Sequence, residues 1–174
     1  MMSASVRPAS GEYAQYYEGY ISSVPAGDII KTLQLQMTET LDLLGRIPEE
    51  RGGFRYDKGK WSIKEVLGHV IDGERIFAYR TLRFARNDQL ELQGFEQDDY
   101  VASSNSDRRT IAELAREFEH VRLATIDLLG SLDEESWSRT GVANQNRVSV
   151  RALAYIIAGH ERHHVEVLKT RYLV

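Results

Sequence analysis

Residues 153–167 read LAYIIAGHERHHVEV. At about 100° per residue, Leu153, Ile157, His160, His164 and Val167 fall within one narrow arc of a helix, the arc that must turn inward in a folded domain. Two imidazoles stand where two leucines are expected. A polar ring buried without a partner costs on the order of 1 to 3 kcal/mol, so the pair calls for hydrogen bonds or a cation. The i, i+4 spacing stacks both rings on one side of the helix, where their nitrogens can converge. A metal clip and a buried hydrogen-bonded pair both satisfy the pattern. A His160/His163 clip at i, i+3 is also open, although it leaves His164 buried and unexplained; His163 lies to one side of the arc and reads as a surface residue.

Three further segments share the helical period, with no internal repeat between them, which predicts an all-α four-helix bundle. The first carries Ile30, Leu33, Met37, Leu41 and Leu44, with Asp28 placed to cap its start and Gly45 to end it. The second opens on Ser62-Ile-Lys-Glu65, a capping box in which each side chain satisfies an orphan backbone N–H, and runs to about Asn87. The third opens on a second box, Thr110-Ile-Ala-Glu113, and presents Leu114, Phe118, Val121, Thr125 and Leu129; its His120 points to solvent. The fourth starts near Ser149 and continues almost to Val174. Residues 89–106 lose the period and gather acids, which predicts a long connection over the bundle end, with Tyr100 a candidate substrate contact at the pocket mouth. Residues 133–148 read as turns around Trp137, an apolar plug. Tyr13, Tyr16, Tyr17 and Tyr20 predict a short packing element ahead of the first helix.

Composition narrows the function classes. The 174 residues suit one domain spanning 1–174, with residues 1–12 expected to form a mobile arm. Hydrophobic residues at 42% and charged residues at 28% exclude a disordered chain, and no apolar run is long enough for a bilayer, so no membrane partner is expected. No apolar leader precedes the domain, and a cytoplasmic location is the expectation. The net charge of -4, with basic residues interspersed among acids, argues against a nucleic-acid partner. The chain has no cysteine, so any metal must be held by nitrogen and oxygen, and any thiolate must come from another molecule.

His69 sits at the edge of the second helix's apolar face, which is formed by Ile63, Val66, Val70, Phe77 and Thr81. An edge histidine and a metal ligand are both open readings. Gly68 and Gly73 flank it and Gly159 precedes His160; each costs about 1 kcal/mol in a helix interior, so each calls for close packing or for space around a bound group.

The stretches Trp61-Ser-Ile-Lys-Glu-Val-Leu-Gly-His69 and Ala158-Gly-His160-Glu-Arg-His-His164 together resemble the DinB superfamily, its YfiT-like branch in particular, over roughly residues 15 to 172. The resemblance implies an up-down-down-up bundle in which His69, His160 and His164 hold one divalent metal, commonly zinc or nickel. It also implies an enzyme that uses a low-molecular-weight thiol such as bacillithiol or mycothiol in transfer to a small-molecule substrate, and it allows a homodimer. Other members are described as metal-dependent hydrolases. A thiol S-transferase is therefore the first expectation, with a hydrolase or a non-catalytic metal-binding stress protein as alternatives. Three imidazoles leave coordination positions open, the pattern of a catalytic site. Hydrolysis usually wants a general base, and the local carboxylates Asp72, Glu74 and Glu161 do not read as lying on the inward arc.

Overall fold

The computed structural model describes Ala4 and residues 6–174. Its four long helices are α2 (Ile29–Leu44), α3 (Ile63–Ala85), α5 (Ile111–Gly130) and α7 (Val150–Val167). Shorter pieces are α1 (Glu18–Ser23), α4 (Gln97–Ser103), α6 (Glu134–Ser138) and a hairpin of β1 (Thr140–Ala143) with β2 (Asn146–Ser149). The expected caps form. The Asp28 carboxylate accepts from the N–H groups of Ile30 and Lys31, and both capping boxes close, Ser62 with Glu65 and Thr110 with Glu113. α7 ends at Val167, earlier than its periodicity suggests, and a π-helical turn carries the chain from Leu168 to Tyr172.

Side-chain pairings fix the helix directions. Leu33 meets Arg122 while Glu49, past the end of α2, meets Ile111 at the start of α5, so α2 and α5 are antiparallel. Ser62 meets Asp107 and Glu74 meets Arg122, so α3 and α5 run parallel. Gln36 meets Ala158 and Thr40 meets Glu161, which makes α2 and α7 parallel. His69 meets His160 near the end of α7, while Ala85 at the end of α3 accepts from Arg139, whose own carbonyl accepts from Val150 at the start of α7, so α3 and α7 are antiparallel. The bundle is up-down-down-up, with α3 and α7 packed side by side.

Two apolar clusters fill the interior. One gathers Leu33, Phe77, Phe84, Leu129 and Leu153; the other gathers Leu44, Ile63, Val70, Phe118 and Leu168. Between them lies a buried polar storey: Gln36 and Thr40 on α2, His69 and Glu74 on α3, Arg122 on α5, His160 and Glu161 on α7. Arg122 grips Glu74 through two parallel bonds, Nε to Oε1 at 2.8 Å and Nη2 to Oε2 at 2.7 Å. Its Nη1 donates to the Leu33 carbonyl and lies 2.8 Å from Glu161 Oε2, a close ion pair outside hydrogen-bond alignment. Burial pushes the Glu161 carboxyl up. This corrects the expectation for Glu74 and Glu161. Both are buried, and both are committed to Arg122.

Several connections also differ from expectation. The stretch 89–106 contains α4, and Leu92 docks on β1, its N–H donating to Val142 and its carbonyl accepting from Asn144. The turn-rich segment contains the β1–β2 hairpin, turned by Asn144 and Gln145 at φ 50° and 63°. Strands of four residues joined without a glycine turn carry only a weak sequence signal. The arm expected at 1–12 is pinned where it is described: Arg7 donates to the carbonyls of Ile21 and Val24, and Glu12 accepts from Ser149 and Arg151. Residues 1–3 and 5 lie outside the described residues.

Candidate metal centre

His69 comes from the second turn of α3, and His160 and His164 from successive turns of α7. Antiparallel packing of the two helices brings them together. His160 Nε2 and His69 Nε2 are 3.0 Å apart, and one nitrogen from each of the three rings lies within 4.8 Å of the others. Nitrogens bound to one ion at about 2.1 Å would stand roughly 3.0 to 3.4 Å apart, so small ring rotations separate this arrangement from a coordination shell. His69 and His160 are buried and His164 half-buried.

The environment keeps the rings neutral. Burial pushes His69 down to about 4 and His164 to about 3, and holds His160 well below the usual imidazole range; the neighbouring histidines act in the same direction, while Asp98 opposes it at His69. A neutral imidazole has the free lone pair that a metal requires. The donor set therefore fits one divalent ion, and among the described residues no fourth His, Asp or Glu joins the group.

The glycines explain the close approach. A Cβ on Gly73 would lie 2.8 Å from His160 Cε1, so only glycine leaves room for that ring against α3. Gly159 admits the backbone of Tyr20, and Gly68 admits the Ser106 side chain. Gly73 thus serves the histidine cluster, and the other two serve packing.

Aromatic rings enclose the cluster. Trp61 tilts over His69 at 4.8 Å between ring centroids, and Tyr20 and Phe77 meet His160 edge-on at 5.6 Å and 5.8 Å. The expected tyrosine element is α1 and the turns before it, packed against α7. A cavity of about 350 Å³ opens beside the cluster, lined by His69, His160, Phe77, Arg80, the three tyrosines Tyr16, Tyr17 and Tyr20, residues 94–97, and the hairpin residues Ala143, Asn144 and Asn146. Tyr100 does not line it. Tyr100 is 47% exposed and packs on Phe95, which is the aromatic that does reach the cavity. Asp72 pairs with Arg75 on the outer face of α3 and also lies away from it.

His163 is exposed and borders a separate groove of about 870 Å³ between α2 and α7 that contains none of the three clustered histidines, and His120 is likewise exposed. The i, i+3 clip is thereby ruled out as the convergent pair. The contact that sequence reasoning missed is Arg80, buried in the cavity wall. It lies eleven residues after His69, within about 20° of it around the helix, and that spacing was its available signal.

A model of the DinB superfamily matches residues 32–168. The fold is similar to that of YfiT from Bacillus subtilis, described as a probable metal-dependent hydrolase with an unusual four-helix bundle topology, with a TM-score of 0.73 and 11% identity, covering 94% of this chain and 92% of that one. It is also similar to a mycothiol-dependent maleylpyruvate isomerase, with a TM-score of 0.65 and 13% identity, covering 79% of this chain and 58% of the isomerase. At these identities the likeness concerns the fold. No curated protein sequence matches the chain.

Proposed function

The chain belongs to the DinB superfamily, and on that footing we propose that it is a metal-dependent enzyme in which His69, His160 and His164 hold one divalent ion, zinc or nickel, and that it joins a low-molecular-weight thiol, intact and through its sulfur, to a small electrophile, the thiol proton and any leaving group departing. The observation that carries this reading is the convergence of three neutral imidazoles from two helices beside a cavity sized for a small molecule. Such an ion, when bound, supplies Lewis acidity and lowers the pKa of a thiol or water at its open position.

The chain's own residues set the conditions for that chemistry. Trp61, Tyr20 and Phe77 exclude water from the rings, which keeps the imidazoles unprotonated at neutral pH. Gly73 fixes how closely His160 approaches α3. Glu74 and Glu161 are held by Arg122 and line no part of the cavity, so they are not placed to take a proton from a molecule there. The lack of cysteine means that the sulfur nucleophile comes from the bound thiol.

Hydrolysis is the second reading, and Glu96 is the observation in its favour. It is an exposed carboxylate lining the cavity, able to accept a proton from water. Metal analysis of the purified protein, followed by assays with monochlorobimane in the presence of bacillithiol or mycothiol, separates the alternatives. Metal-dependent conjugation only with thiol supports the transferase. Thiol-independent cleavage of ester or amide substrates supports the hydrolase, and bound metal with neither activity supports a non-catalytic metal-binding stress protein.

A further inference from the structure

Arg80 is 5% exposed, and among the described residues no carboxylate lies within 4 Å of it. This is unusual in a fold that neutralises its other deeply buried arginine, Arg122, with two carboxylates. A guanidinium stays charged at any physiological pH, and a charge withdrawn from bulk water without a counter-ion is strongly disfavoured. Of its five N–H donors, one on Nη2 donates to the Gln93 carbonyl at 3.0 Å, and the Tyr17 hydroxyl, a neutral group, lies beside the guanidinium. The rest of the group lies in the wall of the histidine-lined cavity. The cavity's single acidic lining residue among those described, Glu96, is exposed and forms no ion pair with it.

Position along α3 relates the charge to the cluster. Arg80 and His69 share one helix face about three turns apart, and the Arg80 side chain leans back toward the helix N-terminus, that is, toward His69. Phe77 forms the floor between them. The guanidinium carbon lies 5.8 Å from the Phe77 ring centroid, and that ring lies 5.8 Å from the ring of His160. The cavity therefore has a cationic end, an apolar floor and a histidine end.

We propose that Arg80 seats the carboxylate of a small organic acid, holding the acid's other end toward His69 and His160. This rests on the histidine cluster being the reaction centre. The guanidinium fork matches a carboxylate's two oxygens, and one fixed positive charge balances a monoanion, whereas a phosphate dianion would call for a second cation. A volume of about 350 Å³ sits at the small end of ligand pockets, which restricts the acid to a molecule of metabolite size. The carboxylate belongs either to the electrophilic substrate or to the thiol.

Calorimetric titration of the metal-loaded protein with two matched pairs tests the proposal: glutaramate, the monoamide of glutaric acid, against glutaramide, and N-acetylcysteine against its amide. At least tenfold tighter binding of glutaramate than glutaramide assigns the seat to a substrate acid, and the same preference confined to the N-acetylcysteine pair assigns it to the thiol. In either case Arg80→Gln should abolish the preference and Arg80→Lys should retain part of it, with metal content unchanged in both. Equal binding of acid and amide by the unmodified protein would overturn the proposal without reference to any variant, as would an acid preference that survives Arg80→Gln. If the protein holds no metal yet keeps an Arg80-dependent acid preference, the histidine reading fails and the carboxylate seat stands.

Discussion

His69 Nε2 and His160 Nε2 stand 3.0 Å apart across two antiparallel helices. In the metal-free protein one ring must donate and the other accept, while a shared ion would take a lone pair from both. Two states of one buried contact follow, and their difference can be measured.

Removing a ring from the α7 pair should remove the ion. His160→Ala and His164→Ala are expected to lose stoichiometric zinc or nickel, and His69→Ala to bind at least tenfold more weakly through the remaining two ligands. His120→Ala and His163→Ala, with exposed rings, should keep one ion per chain. Plasma mass spectrometry of the five variants decides this, and a full complement of metal in His160→Ala would sink the assignment.

Chelation should lower the melting temperature. An ion bound only by the folded chain adds RT ln(1 + [M]/Kd), about 2.7 kcal/mol at a free concentration 100 times the dissociation constant. For a chain of this length that corresponds to a shift of roughly 5 to 10 °C. His69→Ala should respond much less to the same chelator. An unchanged melting curve for the unmodified protein on complete metal removal would contradict a bridge between α3 and α7.

Acid should destabilise the metal-free protein through the same rings. Folding depresses the pKa of His69 to about 4 and of His164 to about 3, against about 6.5 in the unfolded chain. The unfolded state therefore takes up protons first as pH falls. The contribution is fully present above pH 6.5 and is lost as pH drops toward 4 for His69 and toward 3 for His164, with a slope approaching about 1.4 kcal/mol per pH unit for each histidine. Urea midpoints between pH 7.5 and 5 should fall for the unmodified protein and fall less steeply for His164→Ala.

Gly73→Ala sets two effects against each other. Alanine favours a helix by about 1 kcal/mol over glycine, but its Cβ would sit 2.8 Å from His160 Cε1. The ring must move, so metal affinity should drop at least tenfold. Competition titration with a chromogenic chelator measures this, and an unaltered dissociation constant would show that the ring has other room.

Arg122 should be the costliest single charge to remove. Arg122→Leu leaves Glu74 and Glu161 buried without their partner and should cost about 3 to 5 kcal/mol. Adding Glu74→Leu should recover part of that loss, because the double variant removes one uncompensated carboxylate along with its cation. Denaturant unfolding of both variants provides the comparison, and a double variant less stable than the sum of its singles would mean that packing, not charge, dominates the site.

What the chain declared locally, it declared reliably. Capping boxes at Ser62 and Thr110, the cap at Asp28 and the apolar stripes act within a few residues, so the four long helices were legible, and His160 with His164 stood out because two polar rings interrupt one stripe. The third member was legible only in part. His69 read equally well as an edge residue until α7 was packed against it, and the family resemblance tipped that balance. Arg122, Glu74 and Glu161 stand one turn after Phe118, Val70 and Ile157, at or beside the edge of those stripes, where charged residues ordinarily face water. Their burial depends on one another, since each is tolerable inside only when the others arrive from different helices. Tyr100 and Phe95 show the same limit in a connection, where the turn into α4 decides which ring meets the cavity. Arg80 is the extreme case. The sequence placed it on the face of α3 that carries His69, but only the approach of the hairpin, residues 94–97 and the tyrosines made that face the wall of an enclosed space, because burial is set by surfaces that come together from distant parts of the chain.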